Sequence, residues 1–121
     1  QDAGLRPADI GYVNAHGTGT PVNDPTESQA IRAVFPQPPL VSSTKSMHGH
    51  ALGAAGALEA VATVLALSRG VAPPTANFLS PDADCDLDVV PNLSRPLNAQ
   101  AAISNSFAFG GLNAVLAFSL V

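Results

Sequence analysis

The segment from Ala51 to Ser68 constrains the fold most, because in 18 residues it carries a single charge, Glu59. Its length touches the lower limit for a helix that spans a bilayer. Against a span stand the central Glu59, the small residues Gly53, Ala54, Ala55 and Gly56, and the absence of an aromatic belt. A helix that is apolar almost all round is otherwise one buried in protein. We therefore read this segment as the core helix of a layered domain. Arg69 and Gly70 suit its end, supplying a cation in the last turn and a glycine cap. The rival reading is a small membrane or binding module built around residues 51–68, which would partition into detergent or bilayer.

The flanking sequence supplies strands. Ile10–Val13 is a short apolar run that stops at the turn-rich Gly17-Thr18-Gly19-Thr20-Pro21. It reads as a buried strand that delivers Asn14, Ala15 and His16 to its C-terminal end. Asp24 before Pro25 suits an N-cap, and Glu27 follows at capping-box spacing. Ala30, Ile31, Val34 and Phe35 give that helix an apolar face, which Pro36 ends. Leu40-Val41 opens a second strand ending in Ser42-Ser43-Thr44. An irregular stretch from Pro73 to about Pro96 holds a brief strand expected at Leu87–Val90. Ala101–Ser106 and Ala114–Leu120 read as a strand pair joined through Phe107–Asn113. Strands alternating with helices and closing in a hairpin-like pair argue an α/β layered fold with a mixed sheet and a buried Ala/Gly-rich helix.

The 121 residues fit one domain, residues 1–121. Only 12% are charged, about half the usual share. Much of the surface is therefore expected to be covered by the rest of a longer chain, by a partner subunit, or by both. Gln1, with no charged-then-apolar leader before the first motif, reads as a cut.

Several function classes are disfavoured. The net charge of −4 comes with scattered basic residues, which does not suit nucleic acid. One cysteine, Cys85, excludes an internal disulfide framework and a Cys-based zinc site, and fits a reducing cytoplasm. Gly49, Gly53 and Gly56 do not form a nucleotide loop, and His16, His48 and His50 do not follow a known ligand spacing. No metal or cofactor is expected.

Three constellations remain. His16, at a strand end before glycines, is either an imidazole aimed into a cleft or a hydrogen-bonded structural histidine; the residues leave both open. Lys45, His48 and His50 fall between a strand end and the start of the long helix. His50 is expected at or next to that helix's N-terminus, where the positive dipole end disfavours imidazolium and leaves a neutral donor. His48 reads as facing solvent or packing. Gly110 and Gly111 after Phe107 and Phe109 imply a turn with exposed N–H groups, a possible oxyanion cradle. An ordinary turn with core phenylalanines is the reading that residues alone favour.

Together, His16-Gly-Thr-Gly-Thr20, Lys45-Ser-Met-His-Gly-His50 and Asn105-Ser-Phe-Ala-Phe-Gly-Gly-Leu-Asn113 resemble the C-terminal portion of β-ketoacyl synthases in the thiolase-like superfamily. The resemblance runs from Asp2-Ala3-Gly4-Leu5 to the last strand and is nearest to elongating type II synthases. Pro73–Asn77 and Cys85–Asp88 are similar to nodulation synthases. It implies a decarboxylative Claisen condensation, with acyl and malonyl thioesters on an acyl carrier protein as partners, and a dimeric full-length enzyme. It also implies roles: His16 and His50 flank the malonyl thioester, Lys45 belongs to the active-site network and pairs with Glu27, and Asp24 is another carboxylate of that network. Phe109 would gate the acyl pocket and lend its N–H to an oxyanion hole, on a turn shaped by Phe107, Gly110 and Gly111.

Related sequences often carry threonine where this one has His48 and Leu112. The family's nucleophilic cysteine lies upstream, so the chain alone is expected to be inactive. Cys85 does not replace it, because Asp82, Asp84, Asp86 and Asp88 disfavour the thiolate and no strand-turn-helix elbow surrounds it. The non-catalytic alternative is a chain-length-factor-like partner of a synthase heterodimer. Retention of both His16 and His50 argues against it.

Overall fold

A computed structural model describes residues 2–121. Its centre is a four-stranded sheet built from β1 (Ile10–Asn14), β2 (Leu40–Ser42), β5 (Ala101–Ala108) and β6 (Leu112–Ser119), in the order β2-β1-β5-β6. β1 runs parallel to both neighbours, pairing Asn14 with Ser42 and with Ser104. β6 returns antiparallel along the whole of β5, from Ala101↔Ser119 to Ala108↔Leu112. The register of β1 against β5 slips at Gly11. A Cβ there would stand 2.4 Å from that of Ala99, so only glycine permits the close backbone approach.

Alternation along β1 builds two cores. Tyr12 packs with Ala102 of β5 and with Ala66 and Leu67 of α3 (Ala55–Arg69). Val13 points the other way, toward Ile31 of α1 (Asn23–Val34), Phe35 and Val41. The architecture is helix, mixed sheet, helix, as the strand-helix alternation predicts. A short ladder of β3 (Val71–Ala72) with β4 (Arg95–Pro96) stands apart from the main sheet.

The long helix begins later than expected. After the single turn α2 (Lys45–His48), the chain is irregular through Ala51, forms a 3-10 turn over Leu52–Ala54, and becomes α-helical only at Ala55. Gly70 ends it in the left-handed conformation, its N–H reaching the carbonyls of Ala66 and Leu67. The stretch Leu52–Arg69 is long and apolar enough to cross a membrane. Its polar residues Glu59 and Thr63, however, lie fully buried with Ala55, Ala66 and Leu67 on one face against the sheet. The opposite side is not covered among the described residues: Leu58, Val61, Val64 and Leu65 remain 44–60% exposed.

Two local expectations fail. The capping box does not form, since α1 is entered through Val22 without a side-chain cap among the described residues, and Asp24 lies inside the first turn. The Glu27 carboxylate is drawn elsewhere, as described below. Leu87–Val90 is not a strand; its carbonyls make isolated contacts, that of Asp88 accepting the Val41 N–H and that of Val90 the Thr75 N–H, each at 2.9 Å.

Candidate active site

Because β1, β2 and β5 are parallel, their C-terminal ends open on the same edge of the sheet, where open α/β sheets build their ligand crevices. β1 leads into His16, β2 leads through Ser43 and Thr44 into Lys45, and β5 carries Asn105 and Phe107.

Glu27 organises the first of these ends. Its carboxylate accepts the backbone N–H groups of His16 and Gly17, each at 2.9 Å, and the side-chain amides of Asn105 at 3.0 Å and Asn23 at 3.2 Å. It is 4% exposed, so the two backbone donors it satisfies would otherwise be lost to burial. Gly17 has φ +41°, and a Cβ on it would fall 2.5 Å from that of Ser43. The Ser43 hydroxyl donates to the Gly17 carbonyl at 2.7 Å, which stitches the two loops together. Asp24 sits at the margin, accepting from Gly19 N–H at 3.2 Å and from the Asn23 amide at 3.0 Å.

Lys45 is buried, and its ammonium forms an ion pair with Glu59 of α3. This corrects the expected partner: the Glu27 oxygens are already taken up by four N–H donors, so Lys45 turns to the helix instead. Glu59 is a residue of this candidate site that sequence reasoning missed, although its isolation as the one charge of an apolar helix was the available signal. One of its oxygens, Oε2, has no hydrogen-bond partner among the described residues.

The Lys45 ammonium also lies 3.3 Å from His16 Nδ1. An ammonium only donates, so Nδ1 accepts and the ring proton sits on Nε2. Burial first, and then the Lys45 charge, hold the His16 pKa below its ordinary 6.5, against the opposing pull of Glu27 and Glu59. His50 reaches the same tautomer by another route. Leu52 N–H donates to its Nδ1 at 3.2 Å, again leaving Nε2 to carry the proton. The anchor is this single amide, since α3 starts only at Ala55 and His50 does not cap it. The two imidazoles meet edge to face, with centroids 5.5 Å apart and planes at 86°. Phe107 packs on His16 with centroids 5.7 Å apart.

A family model described as the C-terminal domain of β-ketoacyl synthases matches residues 1–79, which hold the His16 and His50 motifs. The chain belongs to the β-ketoacyl synthase family. It is 56% identical over 123 residues to nodulation protein E of a Rhizobium species, covering 99% of this chain and 31% of that protein. To 3-oxoacyl-[acyl-carrier-protein] synthase 2 of a Synechocystis species it is 53% identical over 121 residues, covering 98% of this chain and 29% of that one. The solved ishigamide ketosynthase/chain length factor superposes with a TM-score of 0.96 at 47% identity, covering 99% of this chain and 30% of that one. The chain thus spans about 30% of the length of the relatives it matches.

In this member of the family the remaining residues separate clearly. His16, His50, Lys45, Glu27 and Phe107 come together. The Phe109 side chain does not join them; it is fully exposed on the turn after β5. Gly110 and Gly111 complete that turn at φ +81° and +77°, open enough that a Cβ on either would meet nothing within 4 Å among the described residues. A cavity of about 990 Å³ is bordered by Thr18, Thr20, Lys45, Gly49 and His50, while His16 is not part of its lining. Cys85 lies on the wall of this cavity too. Burial first, followed by Asp82, Asp24 and Asp84, raises its thiol pKa against a hydrogen bond from Ser28, so it is a poor nucleophile.

Proposed function

We propose that this chain supplies the decarboxylating half of a β-ketoacyl-[acyl-carrier-protein] synthase that extends an acyl thioester by two carbons from malonyl-acyl-carrier protein. The nucleophilic cysteine comes from the part of the protein outside this chain, and the setting is cytoplasmic. The observation that carries the reading is the convergence of His16 and His50, each with Nδ1 occupied as an acceptor and Nε2–H left as a donor.

In the reaction, the malonyl C–C bond breaks, carbon dioxide leaves, and the electron pair moves onto the thioester enolate. Negative charge gathers on the thioester oxygen. Two neutral N–H donors directed at that oxygen stabilise it without a proton transfer. The carbanion then attacks the acyl group on the cysteine, whose thiolate departs. Lys45, held by Glu59, keeps His16 in its accepting tautomer at Nδ1. The open turn at Phe109, Gly110 and Gly111 would cradle the other thioester oxygen and gate acyl entry.

Losing one positioned donor costs about 10²–10³ in rate. His16→Ala and His50→Ala in the whole synthase should therefore each depress malonyl decarboxylation by that factor. Near-normal decarboxylation in both variants would end this assignment.

A further inference from the structure

The condensation reading uses His16 and His50 and leaves the third histidine without a part. His48 is the last residue of α2, and its ring touches two groups that bear on His50. Its Nδ1 lies 2.8 Å from the Gly49 carbonyl. A carbonyl only accepts, so this Nδ1 carries the proton, the opposite tautomer to that of His16 and His50. Nε2 is then the acceptor at 3.2 Å for the Thr44 hydroxyl, whose one proton has Asn14 Oδ1, at 3.3 Å, as its other acceptor.

Thr44 is a buried hub, 1% exposed. Its N–H donates to Asn14 Oδ1 at 3.3 Å, and Asn14 Nδ2 donates to its hydroxyl oxygen at 3.1 Å. Asn14 ends β1, the strand that delivers His16. The Gly49 carbonyl, at the other side of the His48 ring, belongs to the peptide that joins Gly49 to His50. That peptide follows a glycine at φ +78° and ψ 177°, a residue whose backbone resists rotation least. Among the described residues the His50 ring has one hydrogen-bond partner, the Leu52 amide.

We infer that His48 is a positioning residue that clips the Gly49–His50 peptide to the Thr44–Asn14 hub, and so sets His50 against His16. The inference rests on the condensation reading, in which the two donors must meet one oxygen. A displacement of about 1 Å in such a site can cost 10²-fold in rate.

The test uses the whole synthase and three variants that divide the two bonds of the ring. Asn at position 48 keeps an N–H near the place of Nδ1, Gln places its amide near Nε2, and Ala keeps neither. His48→Ala and His48→Gln are expected to slow malonyl decarboxylation about tenfold or more. His48→Asn should recover to within about threefold of the parent, and acyl transfer to the nucleophile should be unchanged in all three. Nitrogen-15 NMR of the unmodified enzyme should contain a signal from a histidine protonated on Nδ1 that vanishes in His48→Ala.

Decarboxylation by His48→Ala at the parental rate, equal rescue by Asn and Gln, or an Nε2-protonated His48 would each overturn the clip. A parental enzyme that does not decarboxylate malonyl thioester overturns the condensation reading instead, and the NMR tautomer still decides the clip.

Discussion

Converting Glu59 to Gln isolates the buried charge that the fold places beneath His16. In the native site the Lys45 side chain is 4% exposed and the Glu59 side chain 0%. The ammonium therefore has almost no water to replace its counter-ion, and its next neighbour, His16 Nδ1, is neutral and 3.3 Å away. Removing one partner of a buried pair typically costs about 3–5 kcal/mol. That is two to three and a half decades in the folding equilibrium, at about 1.4 kcal/mol per decade. Removing both charges is a milder change, because no unpaired ion is left behind; apolar replacements of buried pairs are often close to neutral. Glu59→Gln in the whole synthase should therefore lose about 3 kcal/mol, and the double variant Lys45→Met with Glu59→Gln should be more stable than Glu59→Gln alone. Urea unfolding of the parent, both single variants and the double closes the cycle, with an expected coupling of about 2 kcal/mol. Single losses below about 1 kcal/mol that simply add in the double variant would refute a buried ion pair at this site.

Two further outcomes follow from the geometry. Burial holds the folded-state pKa of His16 below 6.5, so the unfolded chain takes up the proton first as pH falls. Its contribution to stability is complete above pH 6.5 and is lost as pH drops from there to the lowered folded value. An NMR titration placing His16 at or above 6.5 would contradict this. Glu27→Ala strands the buried N–H of His16 and the half-buried N–H of Gly17, a buried one being worth about 1–3 kcal/mol when unsatisfied. Thermal unfolding should register at least about 2 kcal/mol, and a variant as stable as the parent would show that the loop finds other acceptors.

Much of the fold was legible locally. The apolar run before Asn14, the strand at Ala101–Ser106 and the Arg69-Gly70 helix end each depend on neighbours a few residues away, and each forms as read. The Asp24–Glu27 spacing misled for a physical reason. A capping carboxylate and a loop-anchoring carboxylate look alike in sequence, and the His16 and Gly17 N–H donors of the loop after β1 outweigh the exposed start of α1. The position of His50 misled similarly: the apolar pattern begins at Ala51, but the chain turns through Leu52–Ala54 before the helix proper starts.

What the sequence determined by itself was the order of three loop motifs, each placed at a strand end, and hence the family and the identity of the paired histidines. Which carboxylate serves which cation was decided only by tertiary structure. Asn105 reaches Glu27 across 78 residues and Glu59 reaches Lys45 across 14, so both contacts depend on how strands are ordered and how α3 is rotated over them. Periodicity marks the face that a residue occupies. The partner waiting on that face is chosen by packing and by the need to leave no buried donor or charge alone.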